Sequence, residues 1–167
     1  MTQSEKKYIE LRKSIDKRSN QLHSLHKNHM QCKKGCDHCC MDYEIFPIEF
    51  DHIKNSIKDI DIRVEPSIGG SCIFLKDHVC QIYEHRPIIC RTHGLPLLFM
   101  NDDQWELSVC ELNFTNFDDE DFTVENTFPQ DKFNSQLFMI NKEYLKEIKS
   151  EKSEFDLFSM QKLKNEK

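Results

Sequence analysis

Apolar positions recur at helical spacing near both ends of the chain and at strand spacing only in short runs between them. In residues 4 to 30, Tyr8, Leu11, Ile15, Leu22, Leu25 and His29 fall close to a heptad pattern, with Lys, Arg, Glu and Asp on the remaining faces. This spacing predicts a long amphipathic helix whose seam packs on the rest of the domain or, as the alternative, on a second copy in a coiled coil. The helix should end near "MQCKKGC", where Gly35 permits a backbone turn. "FPIEFDHIKNSIKDI" predicts a shorter helix, with Pro47 in its first turn and Ile48, His52 or Ile53, and Ile57 along one face.

The middle of the chain reads differently. After an "EPSIGG" turn, "CIFLKDHVCQIY" predicts a short strand pair around Lys76, Asp77 and His78. "RPIICRTHG" holds one or two helical turns opened by Pro87 and closed by Gly94. "LPLLFMNDDQWELSVCELNF" reads as two strands joined by an Asn-Asp-Asp turn. Residues 113–131 are acidic and should form a connecting segment pinned to the core by Phe114, Phe117 and Phe122; an acidic recognition loop is the second choice. The run "DDED" lacks the spacing and central glycine of a calcium loop. A C-terminal helix is expected over 132–150, with Phe133, Leu137, Ile140, Tyr144 and Ile148 at helical spacing, followed by a tail, 151–167, that should fray.

These elements predict a helix-rich α+β fold: a small irregular cysteine-cluster core with short strands, residues 31–112, flanked by long N- and C-terminal helices. A length of 167 residues suits a single domain, 1–167. The apolar fraction of 38% is low and the charged fraction of 31% is high, so the apolar core should be modest and further cross-linking would matter. The net charge of −6, with basic residues interleaved among acids, argues against a nucleic-acid partner. No stretch approaches about 18 consecutive apolar residues, and the N-terminus lacks a signal-peptide core. A cytoplasmic protein without a membrane partner is expected.

That location governs the eight cysteines. Thiols in a reducing cytosol stay free, so metal binding is favoured over disulfides, and four glycines with five prolines are few for a loop-rich disulfide scaffold. "CKKGCDHCC" places Cys32, Cys36, Cys39 and Cys40 within nine positions, a span over which one turn can aim several sulfurs inward. Thiolates favour zinc, cuprous copper and iron–sulfur clusters, and tetrahedral zinc takes four ligands, with sulfur at about 2.3 Å. Because neighbouring side chains diverge, Cys39 and Cys40 either serve two centres or leave one spare reactive thiol. Cys72, Cys80, Cys90 and Cys110 supply further candidates, giving two four-sulfur sites or one larger cluster. Any isolated cysteine has a plainer role as a small buried hydrophobe, most of all Cys110. His38 and His93 are candidate nitrogen ligands, with surface histidine the stronger alternative. The Cys32–Cys36–Cys39 spacing also occurs in radical enzymes that use S-adenosylmethionine, but the remaining chain lacks the strand–helix alternation of such a barrel. Paired C-x2-C and H-x3-H patterns are also lacking.

Together, "CKKGCDHCC" and "CIFLKDHVCQIYEHRPIICR" resemble the bacterial YkgJ-like cysteine-cluster family of zinc- or iron-chelating domains. That family pairs a CxxCxxCC block with a later C-x-[IV]-Y-E-x-R-P-x-x-C-R block; here the second block is matched at Ile82, Tyr83, Glu84, Arg86, Pro87 and Arg91, while the first gap holds three residues. The resemblance spans about residues 30–112. It implies chelation of zinc or iron by Cys32, Cys36, Cys39, Cys40, Cys72, Cys80 and Cys90, with Cys110 as an eighth ligand. A similar cysteine module in flagellin lysine-N-methylases keeps a metal- or iron–sulfur-dependent enzyme as the alternative, its substrate a protein or a small molecule. A thiol redox sensor using Cys39 and Cys40 is a third reading. Four thiolates around a divalent metal carry a charge of −2, which Arg86 and Arg91 would offset, unless they instead form salt bridges with Glu84 or Glu111.

Overall fold

The computed structural model of the protein describes residues 1–64 and 69–166; positions 65–68 of the expected "EPSIGG" turn lie outside them. Its elements in chain order are α1 (Gln3–Leu25), β1 (Glu44–Ile45), α2 (Pro47–Ile57), β2 (Leu75–Lys76), β3 (Val79–Cys80), α3 (Ile88–Thr92), β4 (Leu97–Asn101), β5 (Gln104–Ser108), β6 (Phe128–Pro129), α4 (Gln130–Glu147) and β7 (Phe158–Ser159). Short 3-10 turns occupy Tyr83–His85, Asp119–Asp121 and Met160–Glu166. The fold is helix-rich α+β, as the patterning predicts.

α1 starts at a capping box in which the Thr2 hydroxyl accepts from the Glu5 N–H and the Glu5 carboxylate accepts from the Thr2 N–H. Its buried face runs through Ser4, Tyr8, Leu11, Ile15, Ser19 and Leu22. His26 continues that face just beyond the helix, whereas Leu25, expected on the seam, is 60% exposed. A step of four residues from Leu22 reaches His26, whereas Leu25, the last residue of α1, falls at the margin of the seam and faces outward. The seam packs on α3, α4 and β6 within the same chain, so the intramolecular alternative holds for this face.

α4 shows a similar adjustment. Phe133, Leu137, Asn141, Tyr144 and Leu145 are buried, Ile140 packs at the margin, and Ile148 lies past the helix end and is 42% exposed. Asn141 is tolerated in the core because its carbonyl accepts the Ile48 N–H at the start of α2. α1, α3 and α4 thus enclose one apolar core. In α2, Ile48 joins that core, and Ile53 and Ile57 join a second one with Ile73, Phe74 and Ile82. His52 faces α1 instead, its ring edge-on to Tyr8 and its Nε2 accepting from Arg12.

Both expected hairpins form. β2 and β3 pair Leu75 with Cys80 around Asp77 and His78, and β4 and β5 pair Leu97–Asn101 with Gln104–Ser108 around Asp102 and Asp103. All four turn residues have positive φ, the conformation a two-residue hairpin turn requires. β6 adds to β4 in parallel, a pairing that the strand pattern does not reveal.

The C-terminal tail departs from expectation. Instead of fraying, it returns across the second core: β7 pairs with β1, Phe158 meets Phe50 at 5.3 Å between ring centres, and Met160 and Leu163 are each 2% exposed. Asp42 fixes the return by accepting from the Ser159 hydroxyl and the Gln161 N–H. Burial of Met160 and Leu163 opposes the chain entropy that would favour fraying. Phe114, Phe117 and Phe122 pack edge-to-face and tilted upon one another, and Phe114 and Phe117 meet His26, which ties the acidic segment to the end of α1. No helix of the described residues is long and apolar enough to cross a membrane.

Candidate metal centre

The nine-residue cysteine block folds as two successive tight turns. The Cys36 N–H donates to the Lys33 carbonyl at 3.0 Å with Gly35 at φ 93°, and the Cys40 N–H donates to the Asp37 carbonyl at 2.8 Å. The second turn holds the neighbouring thiols of Cys39 and Cys40 close enough for each to shift the other's acidity.

Each end of the block is held by a distant part of the chain. At the N-terminal end, Asn113 is 3% exposed, and its carboxamide accepts the Gln31 N–H at 2.7 Å while donating to Cys32 Sγ at 3.3 Å and to the Gly94 carbonyl at 2.7 Å. The Asn113 N–H closes a turn on the Cys110 carbonyl at 2.9 Å, so this clasp carries Cys110 toward Cys32. His38 Nε2 meets the Glu111 carboxylate at 2.9 Å across the same junction. Gly94 is needed here twice over: its φ is +89°, and a Cβ would sit 2.5 Å from Cys32 Sγ.

At the C-terminal end, the Cys72 N–H donates to the Cys40 carbonyl at 3.1 Å and the Asp42 N–H to the Gly70 carbonyl at 2.9 Å, a short antiparallel pairing. The chain then turns, with the Leu75 N–H on the Cys72 carbonyl, into the hairpin that sets Cys80 opposite Leu75. Cys90 arrives on α3. Tyr43 lies beside the junction, its hydroxyl donating to the Cys39 carbonyl at 3.0 Å and its ring stacked on His93 at 4.9 Å.

All eight cysteines are free, and only Cys32 is exposed. Burial pushes the Cys32 thiol up, with Cys36, Cys110 and Cys39 adding to it. Burial likewise raises Cys72 to about 11, with a contribution from Cys80, and it raises Cys90 with contributions from Cys72 and Cys80. Cys40 is raised first by its hydrogen bond to Cys39, then by burial and by Cys80 and Cys72 among its neighbours. Cys39 is the exception. Its bond from Cys40, helped by His38 and Arg86, lowers it to about 6. Among the described residues, no three His, Cys, Asp or Glu side chains stand close enough as placed to share one metal ion.

Residues 31–111 match a family model. The model is that of the CxxCxxCC family, described as a "putative zinc- or iron-chelating domain". Comparison with curated proteins and with solved structures gave no significant match. The matched segment therefore begins beside the Asn113 clasp, includes every cysteine, and ends two residues before Asn113 itself.

The two arginines of the second block part company in the matched segment. Arg86 stacks on Tyr83 with its guanidinium carbon 3.8 Å from the ring centre, and its charge lowers Cys39, Cys80 and Cys90. Its Nε is buried without a hydrogen-bond partner. Arg91 is buried and pairs with both carboxylate oxygens of Asp16 on α1 at 2.7 and 2.9 Å, while also donating to the Arg86 and Glu84 carbonyls. The partner is thus neither Glu84 nor Glu111 by side chain. Of the candidate nitrogen ligands, His38 faces Glu111, and His93 has a buried Nε2 with no partner.

Soft sulfur donors from four separate segments, together with a buried Arg86 guanidinium nitrogen that lacks an acceptor, fit a thiolate-bound metal. Sequence reasoning missed Asn113, Tyr43 and the sulfur contact of Gly94. Asn113 follows Cys110 at turn spacing, but nothing in the sequence links it to Cys32.

Proposed function

We propose that the chain is a metal-chelating protein in which its eight cysteine thiolates bind zinc or iron and tie the middle of the fold together. The observation that supports this most is that the 32–40 turns are tied at one end to the 110–113 turn through Asn113 and at the other to residues 70–72, which lead into the hairpin carrying Cys80, through hydrogen bonds that would hold with or without the metal. A bound metal would supply positive charge, letting burial-raised thiols such as Cys72 and Cys90 ionise in the folded protein. Arg86 would offset the remaining negative charge and give its free Nε–H to a sulfur. Asn113 would orient Cys32. Eight free thiols suit a reducing compartment, so the cytoplasm is the proposed location.

The test is metal analysis of anaerobically purified full-length protein, with optical absorption to separate zinc from iron–sulfur. Metal in fixed ratio to protein, and loss of secondary structure or a lowered melting temperature on chelation, are expected. Structural zinc binding is worth on the order of 10 kcal/mol, so the change should be large. Protein that is metal-free, and that takes up neither zinc nor iron, overturns the reading.

A further inference from the structure

We infer that the eight cysteines form two separate metal sites that adjoin at the Cys39–Cys40 peptide: an outer site of Cys32, Cys36, Cys39 and Cys110, and an inner site of Cys40, Cys72, Cys80 and Cys90. This inference rests on the chelating function proposed above.

The division follows from how the block is anchored. Its N-terminal end is clasped to the 110–113 turn through Asn113 and through His38 and Glu111, which brings Cys110 toward Cys32. Its C-terminal end is paired by backbone to residues 70–72, which brings Cys40 to Cys72 and, through the hairpin, to Cys80. Packing divides the same way: Cys72, Cys80 and Ile89, the chain neighbour of Cys90, all pack on the second apolar core, whereas the Lys33–Cys36 turn keeps Cys36 in the Cys32 half of the block.

Four thiolates complete a tetrahedral zinc site, so two sets of four leave no sulfur over and need no shared ligand. Because no three side chains already meet, each set closes by side-chain rotation when metal binds.

The two sites are unequal. Cys32 is the one exposed thiol, and the outer set lies on loops. In the inner set, Cys72 and Cys80 pack against the second apolar core, and Cys90 sits on α3. The inner site should therefore retain its metal while the outer one exchanges.

The experiment loads metal-stripped full-length protein with zinc, and separately with cobalt(II), and counts bound ions per chain. Two are expected. Cys32→Ser with Cys110→Ser should leave one, Cys72→Ser with Cys80→Ser should leave one, and the cross-set pair Cys32→Ser with Cys80→Ser should leave none tightly held. Since a double variant can fail to fold, the unaltered zinc protein is also exposed to stepwise chelator and alkylated, with the labelled cysteines mapped by mass spectrometry. The outer four should react together, well before the inner four. One ion per chain, equal loss in all three pairs, or simultaneous labelling of all eight overturns the division while leaving chelation standing. No uptake of either ion overturns the proposed function itself.

Discussion

Asn113 donates from its buried carboxamide to the sulfur of Cys32 at 3.3 Å, and the same side chain accepts from Gln31 and donates to Gly94, joining three parts of the chain. Asn113→Ala leaves the Gln31 N–H and the Gly94 carbonyl without their partner, at about 1 to 3 kcal/mol for each group that stays buried. Chemical denaturation should show a loss of about 3 kcal/mol, and the most exchangeable metal should bind more weakly. A variant as stable as the parent would show that the clasp does not hold Cys32.

Gly94 and Gly35 both have positive φ, but only Gly94 faces Cys32 Sγ, while a Cβ at Gly35 meets nothing within 4 Å. Gly35→Ala should therefore cost roughly 1 kcal/mol, from backbone conformation alone. Gly94→Ala adds a clash with sulfur and should cost clearly more. Thermal melts of the two variants compare them directly; equal losses would refute the close approach.

Arg86 and Arg91 should separate in their effects. Arg86→Gln removes the charge acting on three thiols, so metal affinity should fall by about 10- to 100-fold, measured by competition with a chromophoric chelator. Arg91→Gln breaks the pair with Asp16 and should lower stability by about 2 kcal/mol while metal stoichiometry stays the same. Reversed outcomes would place the wrong arginine at the sulfurs.

Glu49 gives the fold a pH dependence. Its carboxylate is buried beneath Tyr8 and accepts the Ile88 N–H at 2.9 Å, supplying the cap that Pro87 cannot give α3; burial raises it to about 7 from 4.5. Below pH 4.5, Glu49 is protonated whether the chain is folded or not. As pH rises from 4.5 to 7, the unfolded chain ionises first, so stability falls, by about 3 kcal/mol at most, and the penalty stays constant above that range. Glu49→Gln keeps an acceptor for Ile88 and removes the ionisation. The difference in unfolding free energy between parent and variant should therefore move in the variant's favour between pH 5 and 7.5; a constant difference would refute the assignment.

Met160 tests the returning tail. Met160→Ala opens a cavity in the second core and should cost about 3 kcal/mol in denaturant unfolding. A neutral result would mean that the tail does not seal that core.

The sequence alone determined the helices, both hairpins and the eight sulfurs, because each is written locally. Period sets which face of α1 is apolar, turn residues such as Asp102 and Asp103 set the hairpins, and cysteine density marks the chemistry. Even there, the helix ends moved by a few residues, so Leu25 and Ile148 came out exposed and His26 was buried in the seam. Only the tertiary structure decided which sulfurs are neighbours, where the tail goes and what each arginine meets. Those outcomes depend on contacts such as Asn113 with Cys32, Arg91 with Asp16, and β7 with β1, whose members lie far apart along the chain. No local propensity encodes such pairs; they form because closing the two apolar cores brings those particular backbones together.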